Sequence, residues 1–74
     1  MRLTPVKSSN IESYAFDPSQ KILRIKFKDG GTYDYHGVST ELYTNGFMLA
    51  PSKGKWVADV LRKSAPASKV KEGE

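Results

Sequence analysis

The fold is decided by one stretch of the chain, Ile22-Leu23-Arg24-Ile25-Lys26-Phe27-Lys28, Asp29-Gly30-Gly31 and Thr32-Tyr33-Asp34-Tyr35-His36. In its first part, apolar side chains alternate with Arg24, Lys26 and Lys28, which predicts a β-strand with one buried face and one solvent-exposed face. The Asp-Gly-Gly segment supplies residues that tolerate a positive φ, as a tight hairpin turn requires. In the last part, Tyr33 and Tyr35 share one face of a second strand. The stretch therefore predicts a β-hairpin.

The sequence on either side of the hairpin predicts a third strand and two helices. Residues 9–16 alternate loosely, and residues 17–20, Asp-Pro-Ser-Gln, are typical of a turn. After Gly37 the apolar residues fall at helical spacing, with Ser39 or Thr40 as the cap of a first helix that Asn-Gly at 45–46 weakens, bends or divides. Ser52 can cap a second helix that ends near residue 63.

These elements predict an α+β fold, a small antiparallel sheet with a central β-hairpin packed against C-terminal helices. A chain of 74 residues and 8.2 kDa has room for one hydrophobic core. From residue 64 onward Ser, Ala, Pro, Lys, Gly and Glu dominate. We therefore expect a single domain over residues 1–66 and a disordered tail over residues 67–74.

The composition excludes several classes of protein. Hydrophobic residues make up 38% of the chain, charged residues 27%, and cysteine is absent, so no disulfide framework or thiolate metal site is expected. The longest apolar run spans residues 47–50, far short of the roughly 20 residues of a membrane-spanning helix. Residues 1–20 have no apolar signal core. A monomer in the cytoplasm, without membrane contact, is expected.

Two basic stretches hold eight of the twelve Lys and Arg residues of this chain, whose formal net charge is +4. Residues 21–28 hold four bases without an acid, and residues 53–63 hold four bases against Asp59 alone. On the predicted strand, Arg24, Lys26 and Lys28 form a row about 7 Å apart, which suits phosphates or acidic protein surface. Solubility and protection of a sheet edge explain the same row.

The two lysines at the start of the second helix are a sharper binding candidate. Lys53 and Lys55 lie where the helix dipole disfavours cations, and Gly54 between them leaves space for a partner's backbone or phosphate. A solvated pair without a role is the alternative. Tyr33 and Tyr35 are either stacking platforms for bases or half-buried core residues, since the apolar face of the neighbouring strand needs a partner.

No catalytic constellation is found in the sequence. His36, the one histidine, lies near Asp34 on a predicted strand, which is more typical of a surface residue than of a general base. Ser-Lys-Gly-Lys at 52–55 lacks the upstream glycine and the spacing of a phosphate loop. We therefore expect no enzymatic activity, no catalytic residue, no metal and no cofactor.

Several short segments together resemble the KTSC domain, which is named for the C-terminus of some lysyl transfer-RNA synthetases. The matching segments are Ser8-Ser9-Asn10-Ile11, Phe16-Asp17-Pro18, residues 23–35, Gly37-Val38-Ser39 and residues 50–56. The central Tyr-x-Tyr mark corresponds to Tyr33 and Tyr35, and the resemblance runs from about residue 6 to residue 63. It implies a small domain of bacterial and phage genomes that is suspected of binding RNA. The last helix departs from the pattern, ending in Leu-Arg-Lys where the family has Ile-Arg and an aromatic residue.

The small size and basic surface are also similar to phage-encoded proteins that dock on host RNA polymerase. The resemblance implies inhibition of host initiation and promotion of antitermination, with bacterial RNA polymerase as the partner. The partner-binding residues would be Arg24, Lys26, Lys28, Tyr33, Tyr35, Lys53 and Lys55. The alternative is an autonomous RNA-binding module that uses the same bases for phosphates and the tyrosines for stacking. A third reading is a soluble domain whose charge serves solubility.

Overall fold

The computed structural model describes residues 2–70, which form one antiparallel sheet and two helices. The strands are β1 (Thr4–Pro5), β2 (Ile11–Asp17), β3 (Ile22–Phe27), β4 (Thr32–His36) and β5 (Ala67–Val70). Their order in the sheet is β1-β2-β3-β4-β5, and each strand is antiparallel to its neighbours. The α+β fold predicted from the sequence is confirmed.

The central hairpin has the predicted faces. Its register pairs Leu23 with Tyr35 and Ile25 with Tyr33, so both tyrosines share the apolar face of β3. The opposite face pairs Arg24 with Asp34. We call this second side of the sheet the polar face; it carries Arg24, Lys26, Asp34 and His36.

The two turns of the sheet use different chemistry. Between β2 and β3, Asp17 Oδ1 accepts hydrogen bonds from the backbone N–H groups of Ser19 and Gln20 at 3.0 and 3.2 Å, as the sequence predicts. Lys21 then adopts a φ of 57°. Between β3 and β4, residues 28–31 form a four-residue loop in which no residue has a positive φ. The expected positive φ in the Asp-Gly-Gly segment is therefore wrong, because the longer loop spreads the reversal over more residues.

The two helices cover the apolar face of the sheet. The first consists of an α-helical turn, Thr40–Leu42, continued by a π-helical segment, Tyr43–Phe47, and the Ser39 hydroxyl caps it by accepting from Leu42 N–H. The second runs through Lys53–Trp56, the π-helical Val57–Leu61, and Arg62–Ser64, with Ser52 as its cap. Both predicted caps are confirmed. In the part of the chain that the structure covers, no helix is long and apolar enough to cross a membrane.

The core lies between the sheet and the helices. Its fully buried large side chains are Phe47, Ile11, Leu23, Ile25, Leu61, Val38 and Val57. Phe47 packs edge-on against Tyr14 and Trp56, with ring centroids 5.0 and 6.0 Å away. Phe27, in contrast, is only half-buried, because it lies at the end of β3. Aromatic contacts centred on Phe47 therefore join the first helix to both the sheet and the second helix.

The C-terminal segment differs from the prediction. Residues 67–70 form strand β5, which pairs with β4 in the register Tyr35↔Ala67 to Thr32↔Val70. The predicted disordered tail is wrong for these four residues, because hydrogen bonding to the free edge of β4 orders a segment that has few apolar side chains. The remaining tail residues, 71–74, lie outside the described part of the chain. The folded unit thus extends past the predicted boundary at residue 66.

Candidate functional site

The predicted row of cations on β3 is partly neutralised within the fold. Arg24 Nε lies 2.7 Å from Asp34 Oδ1, and Arg24 Nη2 lies 3.0 Å from Oδ2, so the two side chains form a bidentate pair. This hydrogen bonding raises the pKa of Arg24. Lys26 Nζ is 3.4 Å from Glu12 Oε2, while Lys28 is exposed. Among residues 2–70 these are the two ion pairs, so only Lys28 of the row remains an uncommitted cation.

The two lysines at the start of the second helix have different environments. Lys53 Nζ donates to the backbone carbonyls of Met48 at 3.3 Å and Ala50 at 3.5 Å, and it lies 5.7 Å from the Phe47 ring centroid. These contacts stabilise the Lys53 cation within the chain, so no partner is needed to offset its unfavourable interaction with the helix dipole. Lys55 is exposed, its backbone N–H donates to Ser52 Oγ at 3.4 Å, and within residues 2–70 its side chain forms no hydrogen bond or ion pair. Partner binding by both lysines stays a prediction. Of the two, Lys55 alone keeps an unfavourable interaction with the helix dipole that no side-chain contact within residues 2–70 offsets.

A groove separates the second helix from strands β3 to β5. Its floor is aromatic, formed by Phe27, Tyr33 and Tyr35. Its helical wall presents Gly54, Ala58 and Arg62, and the short residues 65–67 close one side. The volume is about 500 Å³, within the range of about 300–1,000 Å³ that is typical of small-ligand sites. The groove therefore brings the predicted tyrosines together with residues that the sequence did not identify as binding candidates.

The two tyrosines of the groove are not equally accessible. Tyr35 is 4% exposed, and its burial raises the pKa of its hydroxyl, while the positive charge of Arg62 acts in the opposite direction. Tyr33 is half-buried and packs edge-on against Phe27, with ring centroids 6.0 Å apart. The sequence left two roles open for these tyrosines, stacking platform or core residue. Tyr35 is a core residue, whereas Tyr33 presents part of its ring to the groove.

Arg62 is the cation that lines this groove. It is exposed and has no ion-pair partner among the described residues. Lys55, in the first turn of the same helix, is exposed but is not among the lining residues. Lys69 pairs with Tyr33 in the sheet, so it shares the groove-facing side, where its aliphatic stem lies against Gly31. The groove is thus an aromatic recess lined by one cation, Arg62, with Lys69 on the same side of the sheet.

Asn10 supplies the groove with a fixed amide. A Cβ atom at Gly54 would overlap the Asn10 side chain, so the space beside Gly54 is occupied by Asn10 of the same chain. The expectation that a partner fills this space is therefore wrong. Asn10 is held through its backbone as well, because its carbonyl accepts from Lys28 N–H at 2.9 Å. Gly54 and Asn10 are 44 positions apart in the sequence, so only the folded chain shows this contact.

A second recess lies at the β1–β2 edge of the sheet. Its aromatic residues are Tyr14, Phe16 and Tyr43, and Arg2 and Asp17 also line it. The Phe16 and Tyr43 rings stack at 4.2 Å with an interplanar angle of 8°. Burial, with a further contribution from the neighbouring Tyr14 side chain, raises the pKa of Tyr43 to about 12. These rings are engaged with one another, so we assign them a structural role.

The polar face of the sheet contains the one histidine. His36 Nε2 lies 2.8 Å from Ser68 Oγ, which ties β4 to β5. Asp34, the nearest predicted acid, is committed to Arg24. Over residues 2–70, no group of three His, Asp or Glu side chains could hold a metal ion. The histidine therefore has a structural contact, and the groove is the better-formed site.

Comparisons with known proteins place the chain among small domains of its own size. The family model of the KTSC domain matches residues 7–64. A protein of Tsukamurella paurometabola is 35% identical over 60 residues, covering 81% of this chain and 88% of the relative. An uncharacterized protein of Stutzerimonas stutzeri is 31% identical over 62 residues, covering 84% and 86%. The crystal structure of a KTSC domain protein from Yersinia pestis has a TM-score of 0.87 and 37% identity, covering 95% of this chain and 97% of that one.

Proposed function

The chain belongs to the KTSC domain family, and from this premise we propose that it is a non-enzymatic, cytoplasmic RNA-binding module whose groove takes one nucleotide of a single strand. The observation that carries the proposal is the pairing of an accessible aromatic ring, Tyr33, with an uncommitted guanidinium, Arg62, in one recess. Single-stranded nucleic acid is bound by this combination, because bases stack on aromatic rings while cations contact the phosphates.

The distribution of charge favours an anionic occupant. Arg62 lines the groove and Lys69 lies on the groove-facing side of β5, and neither has an ion-pair partner among the described residues. The bases of the polar face are weaker candidates, since Arg24 and Lys26 already face acids. Arg62 therefore supplies the groove with a cation that has no acidic partner within residues 2–70.

The size and lining of the groove favour a single nucleotide over a folded RNA helix. A recess of about 500 Å³ accepts one base and its sugar. Double-stranded RNA is recognised across its wide minor groove by extended surfaces instead. An unstacked base from a loop or a free end is the form that can enter.

Fluorescence anisotropy with a labelled oligouridylate tests the proposal. Tyr33→Leu keeps the apolar packing but removes the ring, and we expect it to weaken binding by roughly 5- to 150-fold, the range of one base–aromatic stack. Arg62→Ala should weaken binding. It should also make the slope of log association constant against log salt concentration less negative by about 0.7, because one phosphate contact on a single strand contributes about that much.

Lys63→Ala is the matched control for Arg62→Ala. Lys63 is an exposed cation one position further along the same helix, and it does not line the groove. If Arg62→Ala and Lys63→Ala lower the RNA affinity equally, the loss comes from the change in net charge alone. That result would contradict a site in the groove. Tyr33→Phe should bind as the unmodified protein does.

A second candidate function is favoured by an exposed apolar pair. Met48 is 41% exposed and Leu49 is 71% exposed, in the connection between the two helices. The pair offers a small apolar contact surface for another protein. The second candidate function is docking on bacterial RNA polymerase, as a phage-encoded regulator that inhibits host initiation and promotes antitermination.

Purified polymerase separates the two candidates. If the second candidate holds, Leu49→Ser should weaken binding to the polymerase and abolish an effect on transcription in vitro, while Tyr33→Leu leaves both unchanged. If the protein acts through RNA, Leu49→Ser should leave RNA affinity unchanged. Absence of binding to purified polymerase would remove the second candidate.

A further inference from the structure

Asn10 is the polar group of the groove whose orientation is best fixed by the fold. Its backbone N–H donates to Ser8 Oγ at 3.4 Å, and Ile11 N–H donates to the same oxygen at 3.3 Å. Both lone pairs of the serine hydroxyl are therefore in use, and its own hydrogen is free to donate. It donates to Asn10 Oδ1 at 3.3 Å.

This network decides which way the amide points. If the side chain were reversed, its NH₂ group would face an oxygen that has no acceptor capacity left, so Oδ1 must lie toward Ser8. The Nδ2 group is then the free end, and no hydrogen bond to it is found among the described residues. The side chain also packs against Gly54, with Oδ1 as the atom nearest to that glycine, and this contact limits its movement.

We infer that Asn10 reads the base in the groove by donating a hydrogen bond from Nδ2 to a keto oxygen. The inference rests on the proposed function, and it names uracil and guanine, whose O4 and O6 are keto oxygens, over cytosine and adenine, which carry an amino group at the same ring position. An amino group would face the Nδ2 donor without an acceptor, which costs more than a lost contact because both groups are desolvated.

The pyrimidines give the cleanest test, because uracil and cytosine have the same size and differ in this edge. We expect a heptauridylate to bind at least about fivefold more tightly than a heptacytidylate, the value of one net hydrogen bond. Asn10→Ala should bring the ratio of the two affinities close to one, with little change for cytosine.

Asn10→Asp replaces the donor with an acceptor and should invert the ratio, because a carboxylate accepts from the cytosine amino group. The added negative charge lowers both affinities, so the ratio is the quantity to compare. Ser8→Ala leaves the amide in place but frees it to rotate, and the ratio should fall without a comparable loss of affinity. Gly54→Ala, which displaces Asn10, should act in the same way.

The outcomes separate this inference from the proposal beneath it. Equal affinity of the unmodified protein for both heptamers, or a ratio unaffected by Asn10→Ala, overturns the role of Asn10 while the RNA site stands. Absence of binding to either heptamer overturns both. Far-UV circular dichroism of each variant confirms that the fold is retained, which is expected since Asn10 and Ser8 lie at the surface.

Discussion

Replacing Phe47 with alanine should remove a large part of the stability of this domain. The ring is 0% exposed and lies about 5 to 6 Å from the rings of Tyr14, Tyr43 and Trp56, measured between centroids. Truncation of a buried Phe costs about 3–5 kcal/mol, and a small domain has about 0.05–0.15 kcal/mol of stability per residue. For 74 residues that is roughly 4–11 kcal/mol in total, so the loss should reach from about a quarter to all of it.

Phe27→Ala is the matched control, because the same side chain is removed from a half-buried position. Phe27 lines the groove, where solvent can fill the vacated space, so we expect a loss of about 2 kcal/mol. Urea unfolding followed by far-UV circular dichroism measures both, and an unchanged m-value shows that the comparison is valid. If Phe47→Ala does not fold, Phe47→Leu takes its place. A loss for Phe27→Ala as large as that for Phe47→Ala would refute this account of the core.

Three further predictions follow from contacts outside the groove. Deletion of residues 67–74 should lower the melting temperature and expose Tyr35, because β5 pairs with β4 beside it; an unchanged melting temperature would contradict the strand. Lys53→Glu should lower the melting temperature by losing its bonds to two carbonyls, whereas Lys55→Glu should leave it equal or slightly higher, since an acid suits a helix N-terminus. Folding raises the pKa of Tyr43 to about 12 by favouring the neutral phenol, so its contribution to stability is complete below pH 10 and is lost as the pH rises through 12. The urea midpoint of Tyr43→Phe should accordingly fall less between pH 10 and pH 12 than that of the unmodified protein.

The elements that the sequence predicts well are those with a local signal. Strict alternation in residues 22–28 determines which side of β3 is buried, and the Ser39 and Ser52 caps follow from side chains adjacent to the backbone groups that they satisfy. Strand β5 has no such signal, because Ala-Ser-Lys-Val contains a single branched aliphatic residue and is ordered by the edge of β4. The tertiary partner, rather than local propensity, makes this segment a strand.

The candidate site is predicted in part, for a similar reason. Tyr33 belongs to a periodic pattern and was selected from the sequence, but Asn10 and Arg62 come from distant segments that only the fold brings to the same recess. The row of cations on β3 is a weaker binding candidate in the fold than in the sequence, because the sequence does not show that Asp34 lies directly opposite Arg24. Unpaired charge is a property of the folded surface, so charge runs alone do not identify it.

NMR mapping with ¹⁵N-labelled protein and an unlabelled heptauridylate shows whether RNA binds in the groove. We expect the largest shift changes on the Asn10 side-chain amide, the Gly54 N–H and the Arg62 Nε–H, because these three residues line the groove. Shift changes confined to Arg24 on the polar face, or to Leu49 between the helices, with the groove signals unmoved, would contradict binding in the groove.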